Sequence, residues 1–238
     1  MKKIILAAVT ALFGTFLTTF ASPREDVTMT PEISGNYDTV KVGGEFRLVY
    51  CEASEPMKII ANDKVIQNIE CVVENNALVV RYISGKSVKA IVGGRSPIVY
   101  IPANPNIKNI TLSGTTHMEC TSPIVQDDLS FNLSGASRVT GEVKSSKLSI
   151  HCAGTVNVTL TGVADAAHIK MDGASRVALG EGFECNTAEV NINGAGILRI
   201  SCKEKLSGKI AGTSVVKYIG EPEVAIVTNG LASITAVK

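Results

Sequence analysis

From residue 106 onward, apolar and polar residues alternate in short runs, and each run turns at a glycine. The runs read IKNITLSGTTHMEC, LSFNLSGASRVTG, LSIHCAGTVNVTL, AHIKMDGASRVAL, AEVNINGAGILRI, LSGKIAGTSVVKYI and EVAIVTNGLASITA. Their glycines are Gly114, Gly135, Gly154, Gly173, Gly194, Gly212 and Gly230, spaced by 21, 19, 19, 21, 18 and 18 residues. Two residues ahead of the glycine stand Leu112, Leu133, Cys152, Met171, Ile192 and Ile210, with Thr228 breaking the pattern in the last unit. Four residues after it stand Met118, Val139, Val158, Val177, Leu198, Val216 and Ile234. Most positions between are Ser, Thr, Asn, Lys or Arg. A period of two on both sides of the glycine means half-buried strands. The glycine supplies a tight corner, where a side chain clashes or φ is positive.

A unit of this length carries two short strands and cannot close a core alone. Stacked at about 4.8 Å per layer, each strand pairs with its equivalent in the next unit, and the inward residues form continuous apolar columns. The reading is all-β: a parallel β-helix, or β-solenoid, of seven Gly-cornered rungs and about 30 Å in length. A meander sandwich also spaces short strands regularly, but it does not require one residue class at one offset from every corner. Residues 22–105 lie outside the period, with strand-like runs at 39–42, 45–50, 57–61, 70–73, 77–82 and 96–102. Asn75-Asn76 marks a hairpin-like turn among them. That part reads as irregular β structure capping the first rung, with Pro102 and Pro105 at the boundary and the repeat domain over 106–238.

Met1-Lys2-Lys3, the apolar run Ile4 to Phe20 and the small residue Ala21 form a secretory leader over 1–21. Cleavage after Ala21 sends the mature chain to the periplasm or cell surface. No later stretch is apolar enough to span a bilayer as a helix. Lys+Arg number 23 against Asp+Glu 22, so there is no electrostatic footprint for nucleic acid. All six cysteines follow the leader without a CxxC or zinc spacing, and an oxidising compartment permits disulfides. The preferred pairs are Cys185 with Cys202 and Cys51 with Cys71; buried free thiols are the other reading. Cys185 lies 12 residues after Gly173 and Cys202 lies 8 after Gly194, so their pairing needs the intervening loop to double back.

The runs YDTVKVGGEFRLVY and VENNALVVRY, with the repeated Gly-[Ala/Thr]-Ser corners, resemble the auto-transporter adhesin head GIN domain family. The resemblance covers nearly all of the mature chain. It implies an exported bacterial protein of the Bacteroidetes type, a β-helix similar to pectin lyases, adhesion as the inferred role, and no established catalytic residues. The chain carries no translocator-barrel or stalk pattern, which sets the expectation that it is not a complete autotransporter.

Polysaccharide lyases and hydrolases share the parallel β-helix, so paired carboxylates on adjacent rungs are the feature to seek. Asp172 has Ala153 and Asn193 as rung neighbours, Asp127 and Asp128 lie in a connection, and Glu142 and Glu181 are two rungs apart. None forms an acid–base pair. His168 stands under Glu189, and His151 beside Lys170; two His and one Glu are a metal-ligand set, but the lysine repels a cation. The column three residues after each corner reads His117, Arg138, Asn157, Arg176, Ile197, Val215 and Ser233, an interrupted basic line. The column three residues before reads Thr111, Asn132, His151, Lys170, Asn191 and Lys209, a polar face suited to a glycan or protein. Five Tyr and no Trp leave few aromatic platforms for stacked sugars. Asp38-Thr39-Val40 resembles an O-glycosylation signal of Bacteroidetes exported proteins. The expected function is a non-catalytic surface or envelope module without a cofactor. A polysaccharide-active enzyme and a purely structural envelope component are the alternatives, and the exposed last rung leaves oligomerisation open.

Overall fold

Each Gly-cornered run becomes one turn of a ladder of parallel strands. The computed structural model describes residues 26–83 and 95–237, so the leader and its cleavage point at Ala21 lie outside the described residues. The repeat is built from β7 (Asn109–Cys120), β8 (Ile124–Gly135), β9 (Arg138–Gly154), β10 (Asn157–Gly173), β11 (Arg176–Leu179), β12 (Phe183–Gly194), β13 (Ile197–Ile219) and β14 (Glu223–Ala236). Neighbouring rungs pair in parallel with equivalent residues opposite: Gly154 faces Gly173, Met171 faces Cys152 and Val158 faces Val139. The same register runs from Gly135 through Gly154, Gly173, Gly194 and Gly212 to Gly230.

At the corners all seven repeat glycines have positive φ. Gly135 shows why no other residue serves: at φ 73° a Cβ would stand 2.5 Å from the Gly114 carbonyl oxygen. The corner carbonyl of one rung sits where the next rung's side chain would go. Two residues on, Thr116, Ser137, Ser175 and Ser214 are buried. Their hydroxyls donate to corner carbonyls, from Ser137 Oγ to Ser134 O at 2.7 Å and from Ser214 Oγ to Gly194 O at 3.1 Å. Burying a hydroxyl is tolerated because it is paired; at Gly154 O, for example, the Ser175 hydroxyl adds to the bond from the Ala174 amide. The columns two before and four after the corner are the core; Leu112 through Ile210 and Met118 through Val216 are buried. Thr228 is exposed and Ile234 half-buried, because the last rung has no layer beyond it.

The N-terminal region is irregular as expected, yet it contains one more turn of the solenoid. β2 (Thr39–Cys51) lies parallel to β7 with Gly44 on Gly114, Val42 on Leu112 and Leu48 on Met118. Its corner has the repeat's offsets, with an apolar residue two before and four after. The chain then leaves the solenoid and builds β3 (Lys58–Asn62), α1 (Asp63–Ile66), β4 (Ile69–Glu74), β5 (Ala77–Tyr82) and β6 (Ile98–Pro102). β5 pairs with 39–43 and β6 with 47–51, so both limbs of the first rung are covered. β1 (Asp26–Met29) lies against β3, which lies against β6. Asn75 and Asn76 form the β4–β5 turn at φ 49° and 59°, the positive pair of a type I′ hairpin. α1 was not foreshadowed by any helical period; Asn62 caps it by accepting from the Lys64 amide. No helix among the described residues is long and apolar enough to cross a membrane.

Candidate binding face

Because the residues four and two before each corner point inward, those five and three before it point out. The outward columns stack Asn109, Ser130, Ser149, His168 and Glu189 beside Thr111, Asn132, His151, Lys170 and Asn191. Parallel stacking sets each residue about 4.8 Å from its rung neighbour, which is hydrogen-bonding distance for longer side chains. His168 Nδ1 lies 3.2 Å from Glu189 Oε2, and Asn191 Nδ2 donates to Glu189 Oε1 at 3.1 Å. His151 Nε2 lies 3.3 Å from Asp172 Oδ2, and Lys170 Nζ lies 3.5 Å from the same oxygen. Asn132 Nδ2 donates to Ser130 Oγ at 3.3 Å.

These residues line a shallow concavity of about 300 Å³ between Ser130 and Asn191. A second, of about 290 Å³ and bounded by Lys108, Asp128 and Lys147, shares Ser130 and Ser149 with it. The two adjoin through these serines as an open trough across the rungs, lined with hydroxyl, amide, imidazole, carboxylate and ammonium groups.

The metal-ligand set seen in the sequence is divided by this pairing. Each histidine takes its own carboxylate, and Lys170 stands on the Asp172 side of the patch. Among the described residues no group of three or more His, Cys, Asp or Glu is placed to hold a metal ion. The carboxylates are spent on cations as well: Glu142 on Lys144 at 3.0 Å and Glu181 on Arg199 at 2.9 Å. Asp172 has Ala153 and Asn193 beside it, as the offsets required.

The column three after the corner is continuous from Arg47 through His117, Arg138, Asn157 and Arg176 to Ile197. Arg47 belongs to it only because β2 is a rung, which the period alone did not reveal; it is bound to Glu119 at 2.9 Å. Thr39 begins β2 half-buried and donates its hydroxyl to Asp38 Oδ1 at 2.8 Å.

The structure brings one cysteine pair together and separates the other. Cys185 and Cys202 are register partners in adjacent rungs. The Gly180-Glu181-Gly182 connection takes up the extra residues that offset them from their corners. The Cys185 thiol donates to Ser201 O at 3.3 Å and the Cys202 thiol to Lys205 O at 3.2 Å; their mutual contact pushes the Cys202 thiol down and, with burial, the Cys185 thiol up. Cys51 and Cys71, by contrast, are not neighbours. Cys51 closes β2 beside Pro102, whereas Cys71 faces Val80, whose partner Val42 lies near the start of β2. The cap strands set the two at different places along β2. All six thiols are free in the structure.

Solved structures share the fold, three of them as follows. A structure described as a putative adhesin of Bacteroides fragilis matches with a TM-score of 0.76 at 17% identity, over 90% of this chain and 98% of that one. A putative lipid binding protein of Parabacteroides distasonis matches with a TM-score of 0.66 at 16% identity, over 90% and 97%. A putative adhesin of Parabacteroides merdae matches with a TM-score of 0.62 at 17% identity, over 90% and 96%. None of the curated proteins matches. The family model described as "Putative auto-transporter adhesin, head GIN domain" matches residues 36–222, from just ahead of the first rung to the start of the last, and the chain belongs to that family.

Proposed function

We propose that this chain is an exported, non-catalytic binding module of the cell envelope, released from its leader after Ala21, and that it engages a glycan on the polar trough. One observation carries the reading: over five rungs the outward columns present hydroxyl, amide, imidazole and ammonium groups along two adjoining concavities. A hydroxyl-rich chain laid across rungs meets a donor or acceptor at each step. Among the described residues along the trough, no two carboxylates are register neighbours. The names given to the solved relatives agree with a surface role for them and lend support by fold alone.

A glycan array followed by titration of the strongest hit tests it. Lys170→Ala and Asn191→Ala each remove a donor from the trough, and each is expected to weaken binding about fivefold to tenfold. Binding that survives both changes places the ligand elsewhere. New reducing ends or unsaturated uronate products from any bound polysaccharide overturn the non-catalytic reading.

A further inference from the structure

The two ends of the solenoid are finished differently. At the first rung β5 and β6 occupy the free edge of β2 along both limbs. At the last, β14 pairs with β13 on one side, and among the described residues no strand pairs with its other edge. Exposed edges are normally blunted by charge, proline or a covering element. β14 has little of this protection: Glu223 is the one charged residue from 223 to 237, whereas Ile197–Ile219 carries six.

Two outward columns turn apolar at this rung. The column three before the corner is polar from Lys41 to Lys209 and ends in Val227. The column one after it is Thr or Ala from Thr115 to Thr213 and ends in Leu231. Val227 is 66% exposed and Leu231 80%. Apolar residues on solvent-facing columns of the uncovered edge mark a surface that is covered by something.

We propose that the last rung is a two-fold interface with a second copy of this chain, in which β14 pairs antiparallel with the partner's β14 about an axis through the Gly230 corner. The strand is self-complementary about that glycine. A two-fold axis there lays the limb before the corner over the partner's limb after it. Residues equidistant from Gly230 then meet: Val224 with Ala236, Ile226 with Ile234, and Thr228 with Ala232, all inward. The outward pairs are Ala225 with Thr235 and Val227 with Ser233. No like charges oppose each other, and the two Leu231 side chains flank the axis. β5 and β6 already occupy the β2 edge, so β14 cannot continue the rungs of another copy there, and the two-fold contact closes at two.

The test is sedimentation of the mature full chain across a concentration series. The expected result is a monomer–dimer equilibrium. The double variant Val227→Glu with Ser233→Glu alters two exposed side chains, places carboxylates opposite each other twice across the axis, and is expected to weaken the dimer by about tenfold. Mixing it with the variant carrying Lys at both positions is expected to restore dimers, which a variant damaged in folding could not do. A wild-type chain that stays monomeric at the highest concentration overturns the proposal. So does a dimer that the double variant leaves intact, or an assembly that grows beyond two.

Discussion

Val158 and Asn157 are adjacent, yet they test opposite faces of one strand. Val158 is 1% exposed and stacked between Val139 and Val177. Val158→Asp buries a carboxylate with no partner, and the expected loss is about 3 kcal/mol or more, easing as pH falls from the raised pKa of the buried acid towards the unfolded value of about 4. Asn157→Asp sets its charge between Arg138 and Arg176, its register neighbours, and is expected to be neutral or slightly stabilising. Urea melts of the two variants decide it; equal losses would reject the inward assignment. The same residue scale holds the thiol pair. Cys185 and Cys202 face each other across one ladder step, within the Cα separation a disulfide spans. Both thiols are buried, so an oxidant meets them while the chain folds and not in the finished stack. Refolding the reduced chain in a glutathione redox buffer is therefore expected to yield an intrachain 185–202 link. Peptide mapping that finds both thiols free after that treatment would refute it.

At the scale of one rung, the glycine corner and the inward columns were legible because each recurs at a fixed offset. The first rung was not, although Val42, Gly44 and Leu48 carry the same offsets. Its corner reads Gly-Gly-Glu-Phe instead of Gly-[Ala/Thr]-Ser, and the cap intervenes before Gly114. A periodic search sees equal spacing and is blind to a rung the chain returns to later. The Ser and Thr two after the corner were visible as letters but not as buried donors, since only stacking shows that a carbonyl waits beside them. The polar trough was readable as two outward columns; how its histidines divide between Asp172 and Glu189 depends on side-chain reach. The element-scale prediction compares corners. Gly135→Val forces a β-branched residue to φ 73° and its Cβ onto the Gly114 carbonyl, at an expected cost of roughly 2 kcal/mol or more. Gly44→Val meets the Tyr82 ring at 3.0 Å, a side chain that can give way, and also occupies positive φ. It is expected to cost less than Gly135→Val but to remain clearly destabilising. Thermal melts in which Gly44→Val matches the wild type would remove β2 from the solenoid.

For the molecule as a whole, the unequal ends imply a gradient of stability. A solenoid is held by nearest-neighbour contacts between rungs, so a rung with one neighbour opens more easily than a rung with two. The first rung has β7 below and the cap above, with Leu48, Leu78 and Val99 buried at their junction. Rungs from β9 to β12 are buried on both sides, including Ile150, Ile169 and Val190. β14 has only β13, and its inward Val224 remains 40% exposed. In dilute solution, where chains are apart, amide exchange should be slowest along β9, β10 and β12 and comparably slow along β2. It should quicken through the second half of β13 and be fastest in β14, by local opening that does not unfold the rest. Raising the protein concentration should then slow exchange in β14 selectively, because pairing with a second copy supplies the missing neighbour. Exchange that is uniform from β2 to β14, at the rate of global unfolding, would mean that the stack behaves as one cooperative unit and that the open end carries no weakness.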